Sequence, residues 1–186
     1  MAGQDTTRRR EFVGKLHRVG VPPENVTLVA VDKPPTANHR NWTVITKLED
    51  ETRNSDAALT DDADLVITAQ ANDILVARMC VFFTTVAAAD FQFGFASTAS
   101  EDLFEAFGSY DPHGPTVPLM FHHDLLADTT SVLGASPGQG AIMANIRLDN
   151  GATATQFSFQ WAQNTSNAGD TVVKSGSTIE YFLVGG

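Results

Sequence analysis

The sequence predicts an all-β fold: a β-sandwich or jelly roll of about eight strands over residues 42–186, entered from an extended, basic, Pro-rich N-terminal arm over residues 1–41. Three observations predict it. Phe91, Phe93 and Phe95 alternate with Gln92 and Gly94, and Phe157, Phe159 and Trp161 alternate with Ser158 and Gln160, the period of two that puts one set of side chains on one sheet face. Turn-forming clusters punctuate the chain at strand-length intervals after Trp42. The charge also divides there: residues 1–40 hold seven basic against four acidic residues, a net of +3, whereas the remaining 146 hold five against eighteen, a net of −13.

Within the arm, Phe12, Val13, Leu16 and Val19 recur at i, i+1, i+4 and i+7, which predicts a short amphipathic helix from Thr7 to Arg18. Val21-Pro22-Pro23 ends it, Val26–Val31 reads as strand-like, and Lys33-Pro34-Pro35 enforces extension because proline fixes φ and removes a donor. Such an arm loses less entropy on docking than a flexible one.

In the head, Thr43–Leu48 is β-branched and reads as the first strand. Glu49–Asp64 is polar and acidic and reads as a loop or irregular edge. Leu65–Ala69, the long apolar run Ile74–Thr85 and Phe91–Phe95 follow as strands, with turns at Gln70–Asp73 and Ala87–Asp90. Residues 97–116 read as a loop region with a helical turn at Glu101–Phe107, where Leu103, Phe104 and Phe107 form an apolar cluster that either docks on the sandwich, the favoured reading, or meets a neighbouring subunit. Val117–Leu126 is apolar but broken by His122, His123 and Asp124. Ala135–Gly140 reads as a turn. Ile142, Ala144, Ile146 and Leu148 form one face of a strand, Asp149-Asn150-Gly151 carries a hairpin signal, and Phe157–Ala162 continues it. A turn at Asn164–Asp170, a short strand Thr171–Lys174, a tight turn Ser175-Gly176-Ser177 and a last strand Thr178–Val184 complete the order.

Composition limits function. A chain of 186 residues is one domain, or a domain with an arm, and at this size about 70% of the unfolded surface can be buried without disulfides or metal. A net charge of −10 argues against nucleic acid as a main partner, since phosphate binding needs a basic face. The lone Cys80, inside an apolar run, is expected to be a buried small hydrophobe. No apolar run is long enough to span a membrane, and the charged N-terminus lacks the apolar segment of a secretory signal.

The motifs that resemble chemistry have simpler readings. His122 and His123 point to opposite faces of a strand, so with Asp124 they offer at most two ligands. Asp61-Asp62-Ala63-Asp64 lacks the glycine and bidentate glutamate of a calcium loop and reads as a solvated acidic turn. Ser136–Gly140 has neither a lysine nor a following helix, so it is no phosphate cradle. No catalytic residues, metal ligands or cofactor site are expected, and the chain does not read as an enzyme.

The stretch Phe157–Asn167, which contains Trp161-Ala162-Gln163-Asn164-Thr165, followed by Thr171–Ser177, resembles the C-terminal ending of small structural proteins of tailed bacteriophages. The runs Ala63–Leu65, Ile74–Phe83 and Asp90–Phe95 are similar to the same group, and the likeness covers roughly residues 58–184. It implies a virion role, with a head decoration (cement) protein as the leading expectation and a receptor-binding or fibre-tip module, or a tail or connector subunit, as the alternatives. The final strand places Ile179, Tyr181 and Leu183 on one face and Phe182 and Val184 on the other, similar in outline to trimeric tumour-necrosis-factor-like and complement-C1q-like heads. A strand apolar on both faces needs two covers, its own core and a second subunit. The expectation is therefore a homotrimer with Ile179, Tyr181, Phe182 and Leu183 at its interface. It would sit on the outer surface of a capsid and bind the major capsid protein through Arg8, Arg9, Arg10, Phe12, Lys15, Leu16, Arg18 and Val19 of the arm.

Overall fold

A computed structural model describes residues 42–98, 101–111, 118–132 and 138–185. The arm, with its expected helix over Thr7–Arg18, its expected strand-like run Val26–Val31 and all eight residues expected to anchor it, lies outside the described residues. Those residues form an all-β sandwich of two antiparallel sheets. The strands among them are β1 (Thr43–Thr46), β2 (Glu51–Arg53), β3 (Thr60–Ala69), β4 (Ile74–Thr85), β5 (Phe91–Ser97), β6 (Glu101–Asp111), β7 (Leu119–His123), β8 (Thr129–Val132), β9 (Gly138–Asn150), β10 (Thr155–Ala162), β11 (Thr171–Val173) and β12 (Thr178–Val184).

The large sheet has eight strands in the order β1-β12-β4-β9-β6-β7, with β11 pairing both β2 and β4; the small sheet has the order β3-β10-β5-β8. Register carries the inner face across the large sheet in rows. Ile45, Ile179, Met79, Ala144, Gly108 and Phe121 stand opposite one another on successive strands, and the next row runs Tyr181, Ala77, Ile146, Ala106 and His123. The small sheet answers with Phe91, Phe93 and Phe95 from β5 and Phe157, Phe159 and Trp161 from β10, all buried as their alternation predicts. Phe93 is the hub, with ring centroids of Phe91, Phe95, Tyr110, Phe121, His123 and Phe159 between 5.1 and 6.5 Å away. Edge-to-face and offset pairs of this kind add to the burial of large apolar areas.

Several expectations are corrected. Glu101–Phe107 is not a helical turn, and residues 101–111 are not loop: they are β6, with Phe104 and Ala106 inward and Leu103, Glu105 and Phe107 outward. A strand apolar on both faces presents the same i, i+1, i+4 cluster as a helix, and only pairing with β7 and β9 separates the two. Residues Thr60–Asp64 belong to β3 rather than to an acidic loop. The Asn150-Gly151 signal does not make a hairpin, because β9 and β10 lie in different sheets. The Asn150 amide instead donates to Gln70 O (2.6 Å) and Thr153 O (2.9 Å), fastening an inter-sheet connection. Gly176 does take the positive φ (+83°) that its turn needs, and the bend lets β11 and β12 follow one line along β4.

Gly108 is required by close approach. A Cβ there would lie 1.9 Å from Met143 O and 2.9 Å from Ala144 Cα, both backbone on the paired strand β9. Gly108→Ala is expected to cost about 3 kcal/mol, the upper end of typical overpacking. Chemical denaturation should show a lower midpoint with an unchanged slope.

Candidate functional site: the outer face of the large sheet

The second face of the large sheet is mixed, with several apolar side chains set among charged and polar ones such as Arg78, Glu105, Asn145, Arg147 and Glu180. On β4, Leu75, Ala77, Met79, Val81 and Phe83 turn inward, while Val76, Cys80 and Phe82 turn outward. Their outward neighbours include Phe182 opposite Val76, Met143 opposite Cys80, and Phe107 opposite Asn145. Val44, Phe82, Leu103, Phe107, Met120 and Met143 are all exposed, Met120 at 75%. A soluble β-sandwich ordinarily gives such positions polar residues, and contiguous exposed apolar surface marks an interaction site.

Trp42, the first described residue of the head, lies on this face. Its ring meets Phe182 edge-on with centroids 4.8 Å apart, and the Arg78 guanidinium stands 5.2 Å from it. Trp42, Phe182 and Phe107 bound a groove whose floor includes Arg78, Asn145 and Arg147. Charges are interspersed: Arg147 pairs with Asp149 at 2.8 Å, and His122 Nε2 lies 3.5 Å from Glu105.

The expected interface set divides across the sheet. Ile179 is fully buried in the chain's own core, and Tyr181 and Leu183 pack against that core, whereas Phe182 looks outward. Trp42, Val44, Met120 and Met143 were not singled out by sequence reasoning, whereas Phe107 was named within an apolar cluster. Their signal was present in strands apolar at both parities, of which only the last was read that way. Cys80 is half-buried on the outer face rather than in the core, and burial pushes its thiol pKa up.

His122 and His123 do point to opposite faces. His123 is buried beside Phe93, Phe95 and Phe121, its Nε2 is 2.7 Å from Thr130 Oγ1, and its Nδ1 has no hydrogen-bond partner among the described residues. Burial lowers its pKa, as does His122, against the opposing charge of Asp128. Among the described residues no group of three or more His, Cys, Asp or Glu side chains is placed to hold a metal ion.

The acidic run 61–64 is not a solvated turn, a second correction. β3 changes register against β10 between Ser158 and Gln160, and there the Asp62 carboxylate accepts from the backbone N–H of Asp64 (3.0 Å) and Leu65 (3.1 Å). It also accepts from Trp161 Nε1 (3.0 Å) and from Lys47 Nζ (3.0 Å), with Asp62 0% and Lys47 1% exposed. Lys47 Nζ further binds Glu51 (2.8 Å) and Asp64 (3.2 Å). Arg53 stacks 3.9 Å from the Trp161 ring centroid and donates to Trp161 O, Thr60 O and Asp61 O. This cluster ties the segment after β1 to the small sheet. Burial pushes the Lys47 ammonium down, but the hydrogen bonds and charges of Glu51 and Asp62 outweigh it and raise the pKa. Burial likewise pushes Glu51 up, but Lys47, the Ala63 N–H and Arg53 hold it below its ordinary value.

No protein-family model matches the chain, and no curated protein matches it either.

Two outcomes are expected. Asp62→Asn keeps the shape but takes the one fully buried carboxylate from Lys47, whose ammonium keeps Glu51 and Asp64, so it should cost about 1.5–3 kcal/mol, the range for a hydrogen bond to a charged group, measured by denaturant titration. Stability should also fall on acidification in two stages. His123 titrates lower in the folded than in the unfolded state, so the unfolded chain binds more protons as pH drops below His123's ordinary 6.5. Glu51, lowered from 4.5, contributes stability above that pH which is lost as pH falls through its folded value. His123→Phe should flatten the first stage of a melting-temperature profile and leave the second.

Proposed function

We propose that this chain is a decoration, or cement, protein of a tailed-virus head. It assembles through the outer faces of its large sheets into a homotrimer on the capsid exterior, and the N-terminal arm binds the major capsid protein. The observation that carries the reading is the apolar outer face. It offers subunits of the same kind a large surface to bury, on a head that is otherwise acidic enough to stay dissolved. The likeness of residues 157–177 to phage structural proteins supplies the setting.

The arm supplies attachment. Its charge of +3 contrasts with −13 for the head, and its apolar side chains Phe12, Leu16 and Val19 share one side of the expected helix. Exposed ion pairs contribute at most about 1 kcal/mol each and are screened by salt. Each apolar side chain fully buried in a groove between capsid subunits contributes roughly 1.5–3 kcal/mol. Apolar burial therefore sets affinity, while Arg8, Arg9, Arg10, Lys15 and Arg18 set position and association rate. Three arms on one trimer act at high effective concentration, so weak single contacts add up.

Deleting residues 1–40 should leave a folded, soluble head that no longer sediments with undecorated capsids. Changing Phe12 and Leu16 together to Ala should weaken sedimentation more than changing Arg8, Arg9 and Arg10 together to Ala. Full retention of the truncated head would place anchoring in the β-domain. Label found at the tail tip of virions would replace cement with the fibre-tip reading.

A further inference from the structure

The outer face of the large sheet has two apolar features of different shape. One is the groove between the Trp42–Phe182 pair and Phe107. The other is an edge. β7 ends the strand order, pairs with β6, and carries Met120, at 75% one of the most exposed large apolar side chains among the described residues. Phe182 and Met120 stand on strands four spacings apart, about 19 Å at the usual strand separation.

A concave feature and a convex one at different places are poorly served by a two-fold contact that lays groove on groove. They are both covered when the edge of one copy enters the groove of the next. That contact repeats head to tail, and it closes into a ring when the rotation allows. Charge is compatible with this. The groove is lined by Arg78 and Arg147 against one acidic residue, Glu105, and Arg78 stacks on Trp42 and makes no ion pair among the described residues, in a chain with a net charge of −10. The residue that follows β7 is the exposed Asp124.

We propose that copies of this chain associate heterologously, the β7 edge around Met120 of one copy seating in the Trp42–Phe182–Phe107 groove of the next. The proposal rests on the homo-oligomeric reading above and adds its direction: every subunit gives one edge and receives one.

Direction can be tested by mixing. Met120→Asp spoils the edge and leaves the groove; Phe182→Asp spoils the groove and leaves the edge. In light scattering the full-length parent should have the mass of three chains, and each variant alone the mass of one, with its near-ultraviolet circular dichroism retained. Mixed at equal concentration, the intact edge of one variant meets the intact groove of the other once, so a species of two chains, one of each kind, should appear. If both variants are single chains and their mixture stays so, the contact is not heterologous and the proposal fails. It fails also if Met120→Asp keeps the parent's mass. A parent that is itself a single chain overturns the homo-oligomeric reading instead. Should Phe182→Asp not fold, Arg78→Glu, at an exposed position on the groove floor, takes its place in the same mixture with the same expected result.

Discussion

A sheet that is apolar on both faces must be covered twice. The inner face of the large sheet is covered by the small one, whose Phe91, Phe93, Phe95, Phe157, Phe159 and Trp161 fill the interior. The outer face has no such layer among the described residues. Its exposed apolar area draws about 25 cal/mol per Å² toward burial, and the same area favours indiscriminate association in a protein with no specified partner. Interspersed Arg78, Glu105, Arg147 and Asp149 limit the ways two such faces can meet, because like charges set opposite each other are costly.

The Lys47 cluster joins the end of β1 to both sheets. β1 is four residues long and, among the described residues, pairs with β12 alone. The residue after β1 is Lys47. Its backbone N–H donates to Ser177 O, its own carbonyl accepts from Gly176 N, and its ammonium reaches carboxylates on β2 and β3. The end of β1 is thereby tied to the small sheet through buried ion pairs that are costly to separate. A fully apolar packing of the same volume could be as stable, but it would not satisfy the carboxylate buried at the β3 bulge.

Most of the sandwich was legible in the sequence because its core obeys one period. Phe91/Phe93/Phe95 and Phe157/Phe159/Trp161 alternate with small or polar residues, Ile142/Ala144/Ile146/Leu148 alternate with Met143, Asn145 and Arg147, and each set lies inside as expected. Legibility failed where both parities were apolar or both polar. In β6, Leu103, Phe104 and Phe107 satisfy helical and strand templates together, and the choice depends on strands about 40 residues away in sequence, in β9. In β3, Thr60–Asp64 has no apolar residue beyond Ala63, so nothing local marks it as a strand. Asp62 is buried there because Lys47 and Trp161, 15 and 99 residues distant, supply its partners. The outer face was legible only in β12; on β4, Val76, Cys80 and Phe82 read as the ordinary surplus of a long buried strand.

The two contacts proposed for this protein depend on charge with opposite sign, and that difference follows from composition. Heads of net −13 repel one another, so short-range apolar burial must overcome a long-range penalty when they associate. That penalty is screened over about 8 Å at physiological salt. The arm, at +3, is attracted to acidic surface, an attraction the same salt weakens. Rising ionic strength therefore favours assembly of heads while slowing capture by arms. The proposed assembly gains from that ordering: associated heads would persist where single arms no longer hold, and several apolar contacts acting together, rather than any one set of arginines, would sustain attachment.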